Sequence, residues 1–254
     1  MTMPTRFARN PLAIALALPL ALAACDSGTD AEGTGTAAVS GEPIAPIAAP
    51  EGQDWTQTAV VTDMGGVQAG NPDAPLKLVE YASHTCSHCA TFSQESHDAM
   101  QEYIASGVVS YEIRNQIHDP LDLTFAMLAR CGDPAAFHPL SAQGWADLNQ
   151  IIANAQANPE GLQQAMERQD TSRFQAIAQQ TGLLDWFSAR GISRDQAMSC
   201  MADQSMAEQI VERSQTQSEE LEVTGTPTFF LNGNRIEGTA WSLIDAALQE
   251  AGAR

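Results

Sequence analysis

The hydrophobic pattern changes period several times along the chain. Leu76–Tyr81 is an apolar, β-rich run, as a strand requires. Beyond it Cys89, Phe92, Met100, Tyr103 and Ile104 fall near one face of a helix expected over roughly 87–105. Val108–Ile117 is β-branched and aromatic, so a second strand follows. Strand, helix and strand in that order make a parallel crossover unit. Upstream, a short strand is expected near Thr58–Thr62, and Asn71-Pro72-Asp73-Ala74-Pro75 reads as a turn.

From about Leu121 to Glu220 the pattern is helical throughout. Helices are expected near Leu121–Cys131, Ala135–Ala157, Pro159–Arg168, Thr171–Gly182, Leu183–Arg190, Ser193–Asp203 and Ser205–Leu221. Thr171, Ser193 and Asp195 are candidate caps, and Pro159 suits a helix start because its missing N–H costs little there. The β pattern then returns in Val223–Leu231. Asn232-Gly233 predicts a tight hairpin, Arg235-Ile236 the return strand and Trp241–Ala251 a closing amphipathic helix. The fold class is therefore α/β, with an all-helical block inserted into a small α/β core. The expected organisation is 1–24 leader, 25–56 tether, 57–120 first part of the core, 121–220 helical insertion and 221–254 second part of the core.

Charge narrows the partners. The chain has 31 Asp+Glu against 12 Lys+Arg, a formal −19, and Lys77 is its only lysine. No basic patch is present, which argues against nucleic acid and against electrostatic attraction to an anionic lipid surface. Membrane attachment has to come from the first residues. Arg6 and Arg9 precede an apolar run, Pro11–Ala24, that is too short for an ordinary membrane span. It ends in Leu22-Ala23-Ala24-Cys25, which resembles the lipobox of bacterial lipoproteins. The resemblance implies cleavage before Cys25 and lipid on that cysteine. Residues 26 to about 56 are rich in Gly, Ala, Thr, Ser and Pro and read as a flexible tether.

Cysteine usage points to the chemistry. Cys86-Ser87-His88-Cys89 is a C-x-x-C placed where a strand hands over to a helix. The positive end of the helix stabilises a thiolate there. Cys86 is at the open end, and Cys89 lies one turn further in, within reach of it. An imidazole at His88 would further favour the thiolate, which makes the disulfide a stronger oxidant. A zinc site usually needs a second such pair, which is missing, although His84 and His88 with the two cysteines leave a copper or zinc carrier as an alternative. With Cys25, Cys86 and Cys89 assigned, Cys131 and Cys200 remain. In an exported protein they are expected to pair as a structural disulfide, the alternative being two buried thiols.

With these residues in hand, the chain resembles the DsbA family of thioredoxin-fold oxidoreductases, in its anchored branch with a second cysteine pair. The likeness rests on Gly70-Asn71-Pro72-Asp73-Ala74-Pro75, on Glu80-Tyr81 ahead of Cys86-Ser87-His88-Cys89, and on Gly225-Thr226-Pro227-Thr228-Phe229. It runs from about Val60 to Ala253. Ser87 departs from the family, where proline is frequent. The resemblance implies a thioredoxin fold with an inserted helical subdomain and a cis Thr226–Pro227 bond facing the sulfurs, where an extended peptide can pair with the Thr226 backbone. It also implies a buried acid at Glu80, able to exchange a proton with Cys89. His84 gains no role from it, and His97, His118 and His138 read as surface or packing residues.

The expected function is thiol–disulfide exchange: an oxidant, lipid-anchored on the periplasmic side, that passes a disulfide to unfolded or partly folded exported proteins. A membrane oxidase similar to DsbB would reoxidise it, and no bound cofactor is needed. The same site run in reverse would make a reductase or isomerase. A non-catalytic lipoprotein acting through its helical block is a further alternative.

Overall fold

The computed structural model describes residues 41–254. The expected leader (1–24) and the lipid-bearing Cys25 lie outside the described residues. A six-stranded sheet runs in the order β1-β2-β4-β3-β5-β6: Ala59–Val61 (β1), Val67–Ala69 (β2), Leu76–Ala82 (β3), Val109–Asn115 (β4), Thr228–Leu231 (β5) and Asn234–Ile236 (β6). β3 and β4 pair in parallel, with Leu78 opposite Tyr111 and Glu80 opposite Ile113, and every other pair is antiparallel. Helix α1 (Ser87–Ala105) makes the crossover between β3 and β4, as the order of patterns predicts.

β2 is absent from the sequence expectation. It has only three residues, set between Gly65-Gly66 and Gly70, too few to register a period. It is a strand because its neighbours pair with it: Gln68 faces Val60 on one side and Glu112 on the other.

Between β4 and β5 lie eight helices: Pro120–Ala129 (α2), Pro134–Ala146 (α3), Leu148–Ala157 (α4), Pro159–Met166 (α5), Ser172–Thr181 (α6), Leu183–Ser188 (α7), Arg194–Met201 (α8) and Gln204–Glu220 (α9). Local capping explains most of their starts. The side chains of Asp119, Asp133, Asn158, Ser193 and Asp203 each accept a hydrogen bond from the first turn, and Pro follows the cap in α2, α3 and α5. Thr171 occupies a cap position without a side-chain cap bond; Asp170 accepts from Ser172 N instead. Asp195 sits in the first turn of α8 behind the true cap, Ser193.

The single helix expected over Ala135–Ala157 is broken at Asp147. No Gly or Pro marks the break. Tertiary bonds hold it, since Asp147 Oδ2 accepts from Trp186 Nε1 at 2.8 Å and from Arg190 Nη2 at 2.9 Å. Helix α10 (Trp241–Glu250) closes the chain.

One apolar core joins the sheet, α1 and the inserted helices; Leu78, Phe92, Met127, Phe137, Ile177 and Phe187 all belong to it. The described part of the expected tether is docked rather than free. Ile44 N bonds Gly252 O, Ile47 N bonds Ser106 O, and the buried Trp55 donates its indole N–H to Ile47 O at 2.8 Å. Gly107 permits this crossing, because a Cβ there would lie 2.2 Å from Ile47 O. Trp55 supplies the apolar anchor that a Gly/Ala/Pro composition conceals. Among the described residues no helix is long and apolar enough to cross a membrane.

Candidate active site

Cys86 is the N-cap residue of α1, in extended backbone (φ −86°, ψ 121°), with no side-chain cap bond of its own. It is partly exposed, whereas Cys89, one turn on, is fully buried; both are free thiols. The Cys86 pKa is lowered from 9.0 to about 5. The largest cause is the hydrogen bond from the Cys89 thiol, followed after a desolvation cost by Thr226 and the backbone N–H groups of Cys89 and His88. The Cys89 thiol is pushed far up, first by burial, then by its hydrogen bond to Cys86 and the charge on Glu80. The pair is thus chemically unequal: an acidic outer sulfur and a deeply protonated inner one.

The Thr226–Pro227 peptide is cis. It abuts the outer sulfur, and Cys86 Sγ donates to Thr226 O at 3.3 Å. Residues 140 apart in sequence therefore meet in one site. Thr226 Oγ1 lies 3.3 Å from His118 Nε2, so His118, exposed as a surface residue is expected to be, stands at the site edge. His138 is a packing residue: burial lowers its pKa to about 4, and its Nε2 lies 2.8 Å from Val67 O.

Glu80 is fully buried on the face of β3 that Leu76 and Leu78 share. Desolvation raises its pKa from 4.5 to about 8, opposed by a hydrogen bond from Tyr111 and aided by the charge on Cys86. Tyr111 donates to Oε2, and Oε1 has no hydrogen-bond partner in the protein. Tyr111 is a site residue that sequence reading misses. The available signal was the parallel register, in which Val109, Tyr111 and Ile113 share the face of Leu78 and Glu80.

Two of the expected histidine contributions need correction. The His88 side chain is exposed, and its backbone N–H, rather than the ring, supports the Cys86 thiolate. His84 is turned into the helical block. Its ring stacks on Phe125 (4.4 Å) and Trp145 (5.4 Å), and Nε2 lies 3.0 Å from Ser141 Oγ. Burial lowers the pKa of His84, so its 3.7 Å approach to Asp122 is not an ion pair at neutral pH. A metal centre of His84, Cys86, His88 and Cys89 is therefore not assembled. Among the described residues no group of three or more His, Cys, Asp or Glu is placed to hold a metal.

Asp122 has a different task. Fully buried, it accepts from His84 N at 2.8 Å and from His118 N at 3.0 Å, tying the loop before Cys86 to the loop bearing His118. Asp119 Oδ2 accepts from Thr85 Oγ1 and Ser83 O from Trp145 Nε1, which fasten the same loop to α2 and α3. Cys131 and Cys200 are joined in a disulfide, Cα–Cα 5.8 Å, between the residue after Arg130 and helix α8.

A sequence model of the Thioredoxin family matches residues 62–250. The chain belongs to the thioredoxin family. Within it, a solved protein-disulfide isomerase of Novosphingobium aromaticivorans is 29% identical, with a TM-score of 0.67 over 71% of this chain and 94% of its own. Wolbachia pipientis alpha-DsbA1, 20% identical, superposes with a TM-score of 0.60 over 76% and 94% of the two chains, which shows a common fold. A provisionally named protein-disulfide oxidoreductase of Rickettsia bellii is 27% identical over 191 residues, 74% of this chain. The match spans 65% of the length of that relative. Both the thioredoxin architecture and the DsbA-like helical insertion expected from sequence are present.

Proposed function

We propose that this protein is a thiol–disulfide oxidoreductase that donates the Cys86–Cys89 disulfide to exported proteins. The inequality of the two sulfurs carries the reading: an outer cysteine with a pKa near 5 over a buried partner held protonated. In the oxidised enzyme, a thiolate of an unfolded substrate attacks Cys86 Sγ, and the Cys86–Cys89 bond breaks. Cys89 leaves and takes a proton, for which Glu80, protonated at neutral pH and buried beside it, is the donor. The second substrate thiolate then attacks the substrate sulfur of the mixed disulfide and expels the stable Cys86 thiolate. The substrate loses two electrons and the enzyme gains them. Substrate backbone lies along Thr226 as an added strand, with Pro227 beside the sulfurs. Reoxidation falls to a membrane oxidase of the DsbB type.

The proposed location is the periplasmic side of a bacterial membrane, with lipid on Cys25. Support comes from Leu22-Ala23-Ala24-Cys25 behind a short apolar run and from the even cysteine pair at 131 and 200. Incorporation of labelled fatty acid that disappears in Cys25→Ser tests it.

The 29% identical Novosphingobium neighbour, a protein-disulfide isomerase, favours a second reading, exchange in the isomerising direction. The reduction potential in glutathione buffers separates the two. A donor is expected towards about −120 mV and an isomerase near about −180 mV; a value near about −270 mV, that of thioredoxin, would sink the donor assignment.

A further inference from the structure

Three arginines converge where the end of β4, the residue after α2 and helix α9 meet. A pocket of about 320 Å3 opens there, with Arg114, Asn115, Arg130, Asp203 and Arg213 on its wall. Such a gathering runs against the composition of the chain, which has 12 basic and 31 acidic residues. Of the two carboxylates at hand, Glu112 is paired with Arg114, and Asp203 spends one oxygen on a helix cap. Glu112 takes Arg114 through Nε at 2.8 Å and Nη2 at 3.0 Å, and also accepts from Thr62 Oγ1. Asp203 Oδ1 caps α9 at Met206 N. Among the described residues, Arg130 and Arg213 form no ion pair.

Arg130 is nevertheless held in place, and Arg213 lies beside it on the pocket wall. Arg130 Nε and Nη2 donate to Asn115 Oδ1 at 2.9 and 2.7 Å, and its guanidinium lies 4.9 Å over the Phe137 ring. Arg213 rests on Gly65, where a Cβ would come within 2.2 Å of Nη1. Burial, with Arg213 next in effect, lowers the Arg130 pKa to about 10; the charge remains at neutral pH, and both cations line the same pocket. Asn115 is 8% exposed. Its Oδ1 is committed to Arg130, which fixes the amide orientation and leaves Nδ2, a buried donor, with no partner in the protein. Guanidinium forks are donors only, and their complement is an oxyanion.

We propose that this pocket binds a small oxyanion, gripped by Arg213 and Arg130. The site is separate from the Cys86 chemistry and stands whether or not that reading holds. Calorimetric titration of the oxidised full chain with inorganic phosphate and, in a second arm, succinate tests it, with chloride at matched ionic strength as control. Saturable one-to-one binding of either oxyanion is expected. Phosphate alone would assign a tetrahedral anion, and succinate alone a carboxylate. Arg213→Gln, on the exposed face of α9, should weaken it about tenfold, the worth of one charged hydrogen bond. Arg168→Gln, an exposed arginine outside the pocket, should bind as the wild type does. No saturable binding in either arm, an equal response to chloride, or wild-type affinity in Arg213→Gln would overturn the proposal. The last holds even if that variant is less stable, since the arginine would then be only a packing residue.

Discussion

At Cys86 the Cys89 thiol and two backbone N–H groups of the first turn of α1 converge on one sulfur, and Thr226 adds a further hydrogen bond. Thiolate absorbance of the reduced protein should therefore titrate near pH 5. Because the Cys89 thiol is the largest contributor, Cys89→Ser should move the midpoint, whereas His88→Ala should leave it in place. A midpoint near about 8.5, that of a free cysteine, would remove the electrostatic basis of the proposed function. Glu80 makes the opposite case, an acid held neutral by burial. Its folded pKa of about 8 lies above the 4.5 it has when exposed. Between those values the folded state keeps a proton that the unfolded chain has lost, so this group lowers stability as pH rises across the window. Glu80→Gln removes the effect. In the oxidised protein, where the two cysteines do not titrate, the variant should match the wild type near pH 4.5 and exceed it towards pH 8 by an order of 1–3 kcal/mol. Urea midpoints at the two pH values measure it, and parallel curves would show that Glu80 is not desolvated.

Among the elements, α1 places the reactive cysteine at its positive end, and β3 places the acid beneath it. The inserted helices hold that junction from the side. Asp119 and Asp122 of the α2 start bind the loop that carries Thr85 and His84, and Trp145 of α3 binds Ser83. The disulfide that links the end of α2 to α8 spans 69 residues of sequence. In the chain-entropy account such a closure contributes about 4 kcal/mol. The double variant Cys131→Ala with Cys200→Ala should lose roughly 2–4 kcal/mol in denaturant titration. Its Cys86–Cys89 potential should not move, because neither cysteine is among the groups acting on Cys86 or Cys89. A shifted potential would mean that the second pair takes part in exchange.

For the molecule as a whole, the core is shared. Leu78 and Ile113 of the sheet, Phe92 of α1 and Phe137, Phe174 and Phe187 of the inserted helices belong to one apolar cluster. Neither part can expose its half of that surface without cost to the other. Residues 41–254 should therefore unfold in one cooperative transition, with ellipticity in the far and near ultraviolet falling together. Two resolved transitions would show that the helical insertion is an independent domain.

Much of the architecture was legible in the chain because its causes are local. The apolar period, the cap Ser193, Pro159 at a helix start and Asn232-Gly233 at a hairpin act within a few residues, so element type and order could be read directly. The position of Cys86 at a helix terminus is local in the same sense. What only the tertiary structure decided depends on neighbours far along the chain. Desolvation raises Glu80 because the folded core buries it completely, and the Thr226 carbonyl reaches Cys86 across 140 residues. His84 turns inward because Phe125, Trp145 and Ser141 surround it, which takes it out of the set with Cys86, His88 and Cys89. The break at Asp147, the strand Val67–Ala69 and the docking of Trp55 follow from pairing and burial against distant partners, which no period in the sequence records.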